Sequence, residues 1–232
     1  MKLVIFGANG PTGLLATAQA LAEGHSVTAV TRRPGAFPLS GPRLHVVRAD
    51  VRDPDAVARA VAGQEAVVST LGAPYGRAPV TVYADGATHI VKAMTRHGVR
   101  RLVCVTSTVL FGVPAPGESL LFRKVLEPFI TGFLGRTVYD DMRRMEALLA
   151  DSDRDWTVIR PAGLFDASVV SDYQLAETRL PGRYTARADL AHALLRHAVG
   201  DLSGRHLRTF VDVRTTEGVP GLLDVLRKEA FG

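Results

Sequence analysis

Three glycines near the start of the chain have the spacing of a loop that binds the pyrophosphate of a nucleotide. An apolar run, Leu3 to Phe6, precedes Gly7, and Gly10 and Gly13 follow at intervals of three residues. In such a loop the first glycine permits a tight turn, the second a close approach of backbone to phosphate, and the third the packing of helix on strand. Pro11 suits the first turn of that helix, whose free N–H groups and dipole attract an anion. The pattern predicts a dinucleotide site.

Two arginines occupy the position that distinguishes the two nicotinamide dinucleotides. A second β-branched run, 26–30, is followed by Arg32 and Arg33. A free ribose 2′-hydroxyl is usually held by Asp or Glu at this point, whereas a 2′-phosphate requires a cation. The planar guanidinium group donates two parallel hydrogen bonds to phosphate. The pair predicts NADP(H) rather than NAD(H), and the alternative is a solvated basic turn in an arginine-rich protein.

The composition is that of a globular chain with one buried core. Of the 232 residues, 47% are hydrophobic, which is enough for a single domain over 1–232. Met1 and Lys2 lead directly into the first strand and charges interrupt the long apolar stretches. We therefore expect a cytoplasmic protein without a membrane partner. The single cysteine, Cys104, lies in an apolar run, so we expect a buried thiol rather than a reactive one.

The positive charge does not indicate a nucleic-acid partner. The net charge is +5 and the pI about 9.7, but the arginines are scattered among acidic residues, without a basic run interleaved with aromatic residues. Solubility and some attraction for anionic ligands account for this charge. His192 and His197 lie five residues apart, which is no clear metal spacing, and we expect both on a helix surface. The expected partner is a small-molecule substrate, and the expected state is a monomer or a homodimer.

Short apolar runs alternate with helix-length segments along the chain. This alternation indicates a parallel sheet built from right-handed βαβ units. The predicted strands are 3–6, 26–30, 44–47, 66–70, 101–105, 156–159 and 206–211. The predicted helices are 12–23, 54–62, 80–97, 139–150, 187–199 and 219–229, with Asp53-Pro54 and Gly98 as start and stop signals. We expect an α/β chain with a doubly wound Rossmann fold and a mostly parallel sheet of about seven strands.

The segment 111–138 interrupts this alternation after the fifth predicted strand. Large apolar residues recur at helical spacing from 120 to 134. In open α/β sheets, ligands sit outside the carboxyl ends of the strands, and this small apolar insert follows such an end. We expect a lid or wall over the substrate, or a dimer face; a packing helix is the alternative.

Seven motifs follow one another along the chain. They are Phe6-Gly-Ala-Asn-Gly-Pro-Thr-Gly13, Arg32, Ala49-Asp50-Val51, Ser69-Thr-Leu-Gly72, Val105-Thr-Ser-Thr108, Trp156-Thr-Val-Ile-Arg-Pro161 and Arg187-Ala-Asp-Leu-Ala191. As an ordered set covering nearly the whole chain, they resemble the atypical short-chain dehydrogenases/reductases. The resemblance is to the single-domain group that includes biliverdin IXβ/flavin reductase, with NmrA-like proteins as more distant relatives.

The resemblance implies a cofactor site for NADP(H) in which each motif binds one part of the molecule. The residues implied are Asn9, Gly10, Pro11, Thr12 and Gly13 for the pyrophosphate, Arg32 and Arg33 for the 2′-phosphate, Asp50 and Val51 for adenine, Leu71 and Gly72 for ribose, and Pro161 and Ala162 for the nicotinamide. A carboxylate such as Asp50, or its neighbouring backbone, can also accept from the adenine amino group. The alternative for Asp50 is a turn or helix-cap aspartate.

The same resemblance implies the candidate catalytic residues. Ser107 matches a serine that hydrogen-bonds the substrate oxygen in larger members, and its alternative role is to bind only nicotinamide or backbone. Tyr139 and Arg143 stand where many members have a Tyr-x-x-x-Lys pair. An arginine there could supply the positive field, but it keeps its own proton. Biliverdin/flavin reductase itself lacks such a tyrosine, and its histidine after the proline is replaced here by Ala162, which argues against a tetrapyrrole substrate.

Three functions are compatible with these residues. The first is an NADPH-dependent oxidoreductase that transfers a hydride to a small conjugated acceptor such as a flavin, quinone, enone or carbonyl metabolite, with Ser107 polarising the acceptor. The second is a non-enzymatic redox sensor that binds NADP(H) and a protein partner. The third is a nonredox isomerase, dehydratase or cyclase that retains the fold.

Overall fold

In the computed structural model, which describes residues 1–117, 132 and 135–219, parallel strands form the main sheet. The strands are β1 Lys2–Phe6, β2 Ser26–Thr31, β3 Leu44–Arg48, β4 Ala66–Ser69, β5 Arg101–Val105, β6 Asp155–Pro161, β7 Gly163–Phe165, β8 Tyr173–Ala176, β9 Tyr184–Ala186 and β10 Thr209–Thr215. The helices are α1 Pro11–Ala22, α2 Pro54–Val61, α3 Val82–His97, α4 Arg136–Asp151 and α5 Arg187–Ala198. Short 3-10 helices span Pro34–Ala36 and Thr108–Phe111.

The main sheet has the strand order β3-β2-β1-β4-β5-β6-β10-β8 within the described residues. All neighbours are parallel except β8, which pairs antiparallel with β10 at one edge. The order reverses direction between β1 and β4. In doubly wound sheets a ligand binds at such a reversal, outside the carboxyl ends of the strands.

Helices cover both faces of the sheet, and the side chains of β1 alternate between them. Leu3 and Ile5 belong to the apolar cluster that includes residues of α1 and α5. Val4 and Phe6 belong to the cluster built from α2, α3 and α4. Because successive side chains of a strand point to opposite faces, a run without polar residues indicates burial on both sides. The predicted α/β doubly wound fold is confirmed.

Local signals placed several helix ends correctly. Asp53 caps α2 by accepting hydrogen bonds from the backbone N–H groups of Asp55 and Ala56, at 3.0 and 3.1 Å. Gly98 ends α3 in the left-handed conformation, with φ 71°. The predicted buried position of Cys104 is also confirmed, and burial raises the pKa of its thiol to about 12.

The last predicted strand was misplaced. We predicted 206–211, whereas β10 runs from Thr209 to Thr215. His206 and Arg208 have positive φ values of 50° and 57°, which an extended strand does not allow. The Arg208 N–H donates to the carbonyl of Trp156, so the strand begins only after this turn.

Three short strands had no clear sequence signal. β7 and β9 form a separate two-stranded parallel sheet, and β8 is the antiparallel edge strand. Each has three or four residues, most of them exposed or partly buried. A run this short gives too few positions for period-2 alternation to be recognised.

Two further predictions concern helices. The expected surface position of His197 is wrong: its side chain is buried, because the last turn of α5 packs on the amino ends of β5 and β6. The helix predicted at 219–229 lies almost entirely outside the described residues. Most of the insert at 111–138 also lies outside them, and its last three residues belong to α4. No helix within the described ranges is long and apolar enough to cross a membrane.

Candidate functional site

The glycine-rich loop joins β1 to α1 at the reversal of strand order. Gly7 has φ +75°, and a Cβ built on it would lie 2.6 Å from the carbonyl oxygen of Thr70. A Cβ on Gly13 would lie 2.3 Å from the carbonyl oxygen of Gly7. Only glycine satisfies either position without a shift of backbone. Gly7 therefore places the turn against the end of β4, and Gly13 places the start of α1 against the turn.

The amino end of α1 is open for an anion. Gly10 is its N-cap residue, without a side-chain hydrogen bond among the described residues, and Pro11 is its first helical residue. The first turn contains no acidic residue, and Thr12 and Gly13 lie there with their backbone N–H groups. Asn9 precedes them in the turn and is partly buried. Unpaired N–H groups and the helix dipole fit the pyrophosphate of a dinucleotide at this point.

Arg32 and Arg33 follow directly after β2, at the same edge of the sheet. Both are exposed, and within the described ranges no hydrogen bond or ion pair engages either guanidinium group. The backbone N–H of Arg33 donates to the hydroxyl of Thr31, at 3.2 Å, which fixes the path of the turn. These two cations stand one strand away from the glycine loop and fit a ribose 2′-phosphate.

The residues implied for adenine and ribose lie around α3. A Cβ on Gly86 would lie 2.7 Å from the side chain of Leu71 and 3.5 Å from that of Val51, so the absence of a side chain at Gly86 lets both residues pack closely against α3. Asp50 uses one carboxylate oxygen to accept from the N–H of Arg52, at 3.0 Å, as the turn alternative requires. Gly72 follows Leu71 and is exposed, and a Cβ there would meet open space.

Ser107 and Tyr139 lie next to each other, although 32 residues separate them. Ser107 follows β5 and Tyr139 is on α4, where its side chain is 4% exposed. The Ser107 side chain interacts with the Tyr139 hydroxyl and lowers the pKa of that tyrosine, but burial and the neighbouring Tyr75 raise it by more. The tyrosine is therefore protonated over the whole working pH range, as a proton donor must be. Tyr75, whose hydroxyl lies 2.9 Å from that of Tyr139, was not singled out from the sequence.

The positive field expected from Arg143 at Tyr139 is not present. Arg143 donates to Asp140 at 2.8 Å, and this ion pair is more than half exposed on the outer face of α4. Residues one helical turn apart lie on the same side of a helix, but their side-chain ends meet only if both side chains extend in the same direction. Arg143 extends toward Asp140 and solvent, so the comparison with a Tyr-x-x-x-Lys pair fails at the cation.

A buried ion pair supports the segment that carries Ser107. Arg160 on β6 donates to both carboxylate oxygens of Glu146 on α4, at 3.0 and 2.7 Å. Thr106 donates to the same carboxylate at 2.7 Å. The guanidinium group of Arg160 also lies over the rings of Phe210 and Phe111, at 4.0 and 4.5 Å from their centroids. Sequence reasoning missed this group, because no local pattern indicates a pair that joins a helix to a strand.

Pro161 and Ala162 end β6 at the same edge. Pro161 is buried, and the N–H of Ala162 donates to the hydroxyl of Thr185 on β9, at 3.1 Å. The hydroxyl of Thr185 in turn donates to the carbonyl of Val213 on β10, at 2.7 Å. The small two-stranded sheet therefore fixes the wall that the sequence assigned to the nicotinamide.

A family model described as NAD(P)H-binding matches residues 7–199. The chain belongs to this NAD(P)H-binding family. The matched range contains both the glycine loop and the Ser107 and Tyr139 pair. The open end of α1, the close packing at Gly7 and Gly13, and the exposed Arg32 and Arg33 of this NAD(P)H-binding protein fit such a cofactor. The predicted family resemblance is confirmed at this level.

Among curated relatives, an uncharacterised protein from Mycobacterium bovis is 28% identical over 190 residues, which are 81% of this chain but 18% of that protein. The chain thus spans less than a fifth of the length of that relative. Among solved structures, a short-chain dehydrogenase/reductase from Veillonella parvula in complex with NADP has a TM-score of 0.75 at 21% identity, covering 94% of this chain and 95% of that one. ChuY, an anaerobillin reductase from Escherichia coli O157:H7, has a TM-score of 0.71 at 21% identity, covering 95% and 100%. At these identities the likeness shows the fold.

Proposed function

We propose that this protein is an NADPH-dependent reductase that delivers a hydride to a small conjugated acceptor such as a flavin, a quinone, an enone or a carbonyl compound. The observation that carries the proposal is the contact between Ser107 and Tyr139. Ser107 follows the carboxyl end of β5, and Tyr139 lies beside it on α4. This is the edge of the sheet where the glycine loop would hold the cofactor. The fold shared with an NADP complex and with a reductase supports the same conclusion.

Each group has a separate task in this proposal. The open end of α1 binds the pyrophosphate, and Arg32 and Arg33 bind the 2′-phosphate and so select NADPH over NADH. A bound reduced nicotinamide supplies the hydride. Ser107 hydrogen-bonds the acceptor oxygen, and Tyr139 holds the proton that this oxygen takes as negative charge develops on it. Fixing the acceptor in this geometry supplies most of the rate.

The test combines cofactor binding with turnover. Dissociation constants of NADPH and NADH are measured by fluorescence titration, and NADPH absorbance is followed with a panel of flavins, quinones, enones and aldehydes. We expect NADPH to bind more tightly than NADH and to be oxidised by at least one acceptor class. Ser107→Ala should lower the turnover number about 100-fold with little effect on NADPH affinity.

Variants of the arginine pair test the cofactor assignment. Arg32→Gln with Arg33→Gln should weaken NADPH binding roughly 10- to 100-fold and leave NADH binding unchanged, because only NADPH has the 2′-phosphate. Arg59→Gln with Arg96→Gln, in the last turns of α2 and α3, removes the same two positive charges at exposed positions outside the candidate site and serves as the control. Equal affinity for NADH and NADPH in the wild type contradicts the assignment. Binding without oxidation by any acceptor favours the sensor alternative.

A further inference from the structure

We propose that Tyr75 relays protons from solvent to Tyr139 during reduction of the acceptor. The inference rests on the proposed function, since it concerns how the proton donor is reloaded. Tyr75 lies in the loop between β4 and α3, and Tyr139 lies on α4. Their hydroxyl oxygens are 2.9 Å apart, and the Ser107 side chain also interacts with the Tyr139 hydroxyl. Three hydroxyl groups therefore form a line from the surface to the carboxyl end of β5.

The two tyrosines differ in their access to water, which gives the line a direction. Tyr75 is 58% exposed, whereas Tyr139 is 4% exposed. A proton given up by Tyr139 is therefore not replaced directly from bulk water. Each hydroxyl can donate one hydrogen bond and accept another. Tyr75 is thus placed to accept a proton from solvent and to donate one to Tyr139.

Several contacts hold Tyr75 against α4, so its position does not depend on the hydroxyl contact alone. A Cβ on Gly135 would lie 2.5 Å from the ring of Tyr139 and 3.0 Å from that of Tyr75, so both rings pack on a residue without a side chain. Thr137 donates to the carbonyl of Gly76, at 3.1 Å. Both contacts are made from the start of α4. The loop and the helix that carry the two hydroxyls are joined as one unit.

The electrostatics of Tyr139 favour a relay. Burial and the hydroxyl of Tyr75 raise the pKa of Tyr139 well above its usual value, so the tyrosinate is disfavoured. Arg143 does not supply a cation to stabilise a tyrosinate, because it is paired with Asp140 at the surface. Tyr139 therefore releases its proton readily only if it receives another at the same time.

The proton balance of one turnover is as follows. The hydride adds two electrons to the acceptor, and the nicotinamide is oxidised. The O–H bond of Tyr139 breaks as a new bond to hydrogen forms on the acceptor heteroatom. Tyr139 regains its proton from Tyr75, and Tyr75 regains one from water or a buffer acid. The net reaction consumes NADPH, one proton and the acceptor, and it leaves both tyrosines unchanged.

The decisive variant is Tyr75→Phe, which keeps the ring and removes the hydroxyl. We expect the single-turnover rate of hydride transfer to fall about 10- to 100-fold, while the dissociation constant for NADPH stays the same. For the wild type, a plot of this rate against the deuterium fraction of the solvent should be curved. Such curvature indicates that more than one proton moves in the step. The Phe variant should show a linear dependence, which a purely structural role of Tyr75 does not predict.

A second pair of variants separates proton relay from support of the loop. Tyr75→Ala leaves a gap at an exposed position, and we expect added imidazole to restore its rate in a concentration-dependent manner. Tyr83→Phe removes a hydroxyl that accepts from the N–H of Ala73, at 3.2 Å, and so weakens the same loop without entering the line of hydroxyls. This control should keep the curved solvent dependence.

The outcomes distinguish the relay from the proposed function. If Tyr75→Phe keeps the wild-type rate and the wild-type solvent isotope effect, the relay is overturned and the reductase assignment stays intact. A slow Phe variant that keeps the curved dependence, together with no imidazole rescue of Tyr75→Ala, overturns the relay in favour of a structural role. Failure of the wild type to oxidise NADPH with any acceptor overturns both proposals.

Discussion

Gly7 and Gly24 illustrate two different reasons why a position requires glycine, namely a positive φ and a lack of space for a Cβ. Both have positive φ, at 75° and 86°. A Cβ on Gly24 would meet open space, whereas a Cβ on Gly7 would lie 2.6 Å from the carbonyl oxygen of Thr70. A side chain at Gly24 therefore strains only the backbone. One at Gly7 also forces β1 and β4 apart at the edge where the cofactor would bind.

We predict a larger loss of stability for Gly7→Ala than for Gly24→Ala. The second substitution should cost about 1 kcal/mol, the cost of placing a Cβ in the left-handed conformation. The first should cost roughly 3 kcal/mol or more, because backbone must move as well. Free energies of unfolding in urea measure both. Equal losses in the two variants would mean that the loop yields easily and that the close approach to Thr70 has no consequence.

At the residue scale, the sequence predicted those parts of the site that are encoded within one βαβ unit. Gly7, Gly13 and the Arg32-Arg33 pair lie within about thirty residues of one another, and their spacing carries the information. The contact between Tyr75 and Tyr139 joins positions 64 residues apart. Nothing local marks such a pair, because its geometry depends on how α4 packs beside α3.

At the scale of elements, α4 positions Tyr139 in the candidate site. Its inward side chains include Tyr139, Met142, Glu146 and Leu149, which recur at helical spacing and are all buried. This periodicity allowed the helix to be predicted from the sequence. Its start was predicted at 139 rather than at Arg136, because the N-cap residue, Gly135, makes no side-chain cap that a motif could indicate.

One acidic residue of α4 caps a different helix. Asp141 is fully buried and accepts from the backbone N–H groups of Tyr83 and Ala84, at 2.8 and 3.4 Å, in the first turn of α3. Its other oxygen lies 3.1 Å from the guanidinium group of Arg144. Arg144 also donates to the carbonyl of Val80, at 2.9 Å, just before α3. The loop that carries Tyr75 is thus held at its far end as well.

We predict that Asp141→Ala lowers the free energy of unfolding by about 2 kcal/mol, the upper range for loss of a helix cap, because the cap is buried. The neighbouring Asp140→Ala removes exposed ion pairs to Arg136 and Arg143 and should cost less than about 0.5 kcal/mol. Urea unfolding of the two variants provides the comparison. A small loss for Asp141→Ala would indicate that water replaces the carboxylate and that the cap does not hold α3.

At the scale of the whole molecule, different groups of residues lie at the carboxyl ends and at the amino ends of the parallel strands. The carboxyl ends carry the candidate site. At the amino ends, Arg101 donates to the carbonyls of His197 and Asp155, at 2.7 Å each, and to the hydroxyl of Thr157, at 2.7 Å. His197 lies 3.0 Å from His206 through their ring nitrogens. This buried polar group joins α5 to the turn before β10, and it is remote from the glycine loop.

The position of His197 illustrates what the sequence pattern left out. We expected a side chain on the helix surface, whereas its partners beyond α5 are Arg101 on β5 and His206 in the turn before β10. The positions of most main-sheet strands along the chain were predictable from short apolar runs. The burial of a polar residue depends on which strand ends meet at one point, and this follows only from the assembled sheet.

The buried histidine predicts a pH dependence of stability. Burial lowers the pKa of His197 to about 4 in the folded state, while Nδ1 lies 2.7 Å from the carbonyl of Ala193. In the unfolded chain a histidine has a pKa of about 6.5. Between these values the unfolded state binds the extra proton, so stability falls as the pH drops through this window, by at most about 3 kcal/mol. Asp212, whose pKa is raised by burial to about 6, contributes the opposite slope.

The wild type and the His197→Gln variant both contain Asp212. The difference between their free energies of unfolding therefore isolates the contribution of His197. We expect His197→Gln to lose stability at neutral pH but to approach or exceed the wild type as the pH falls from about 7 to about 5, because glutamine does not bind a proton. His97→Gln, at an exposed position at the end of α3, should follow the wild-type curve at every pH. Urea unfolding at a series of pH values gives both comparisons. Parallel curves for wild type and His197→Gln would show that His197 takes up its proton in the folded state, and that the buried pair with His206 accommodates the charge.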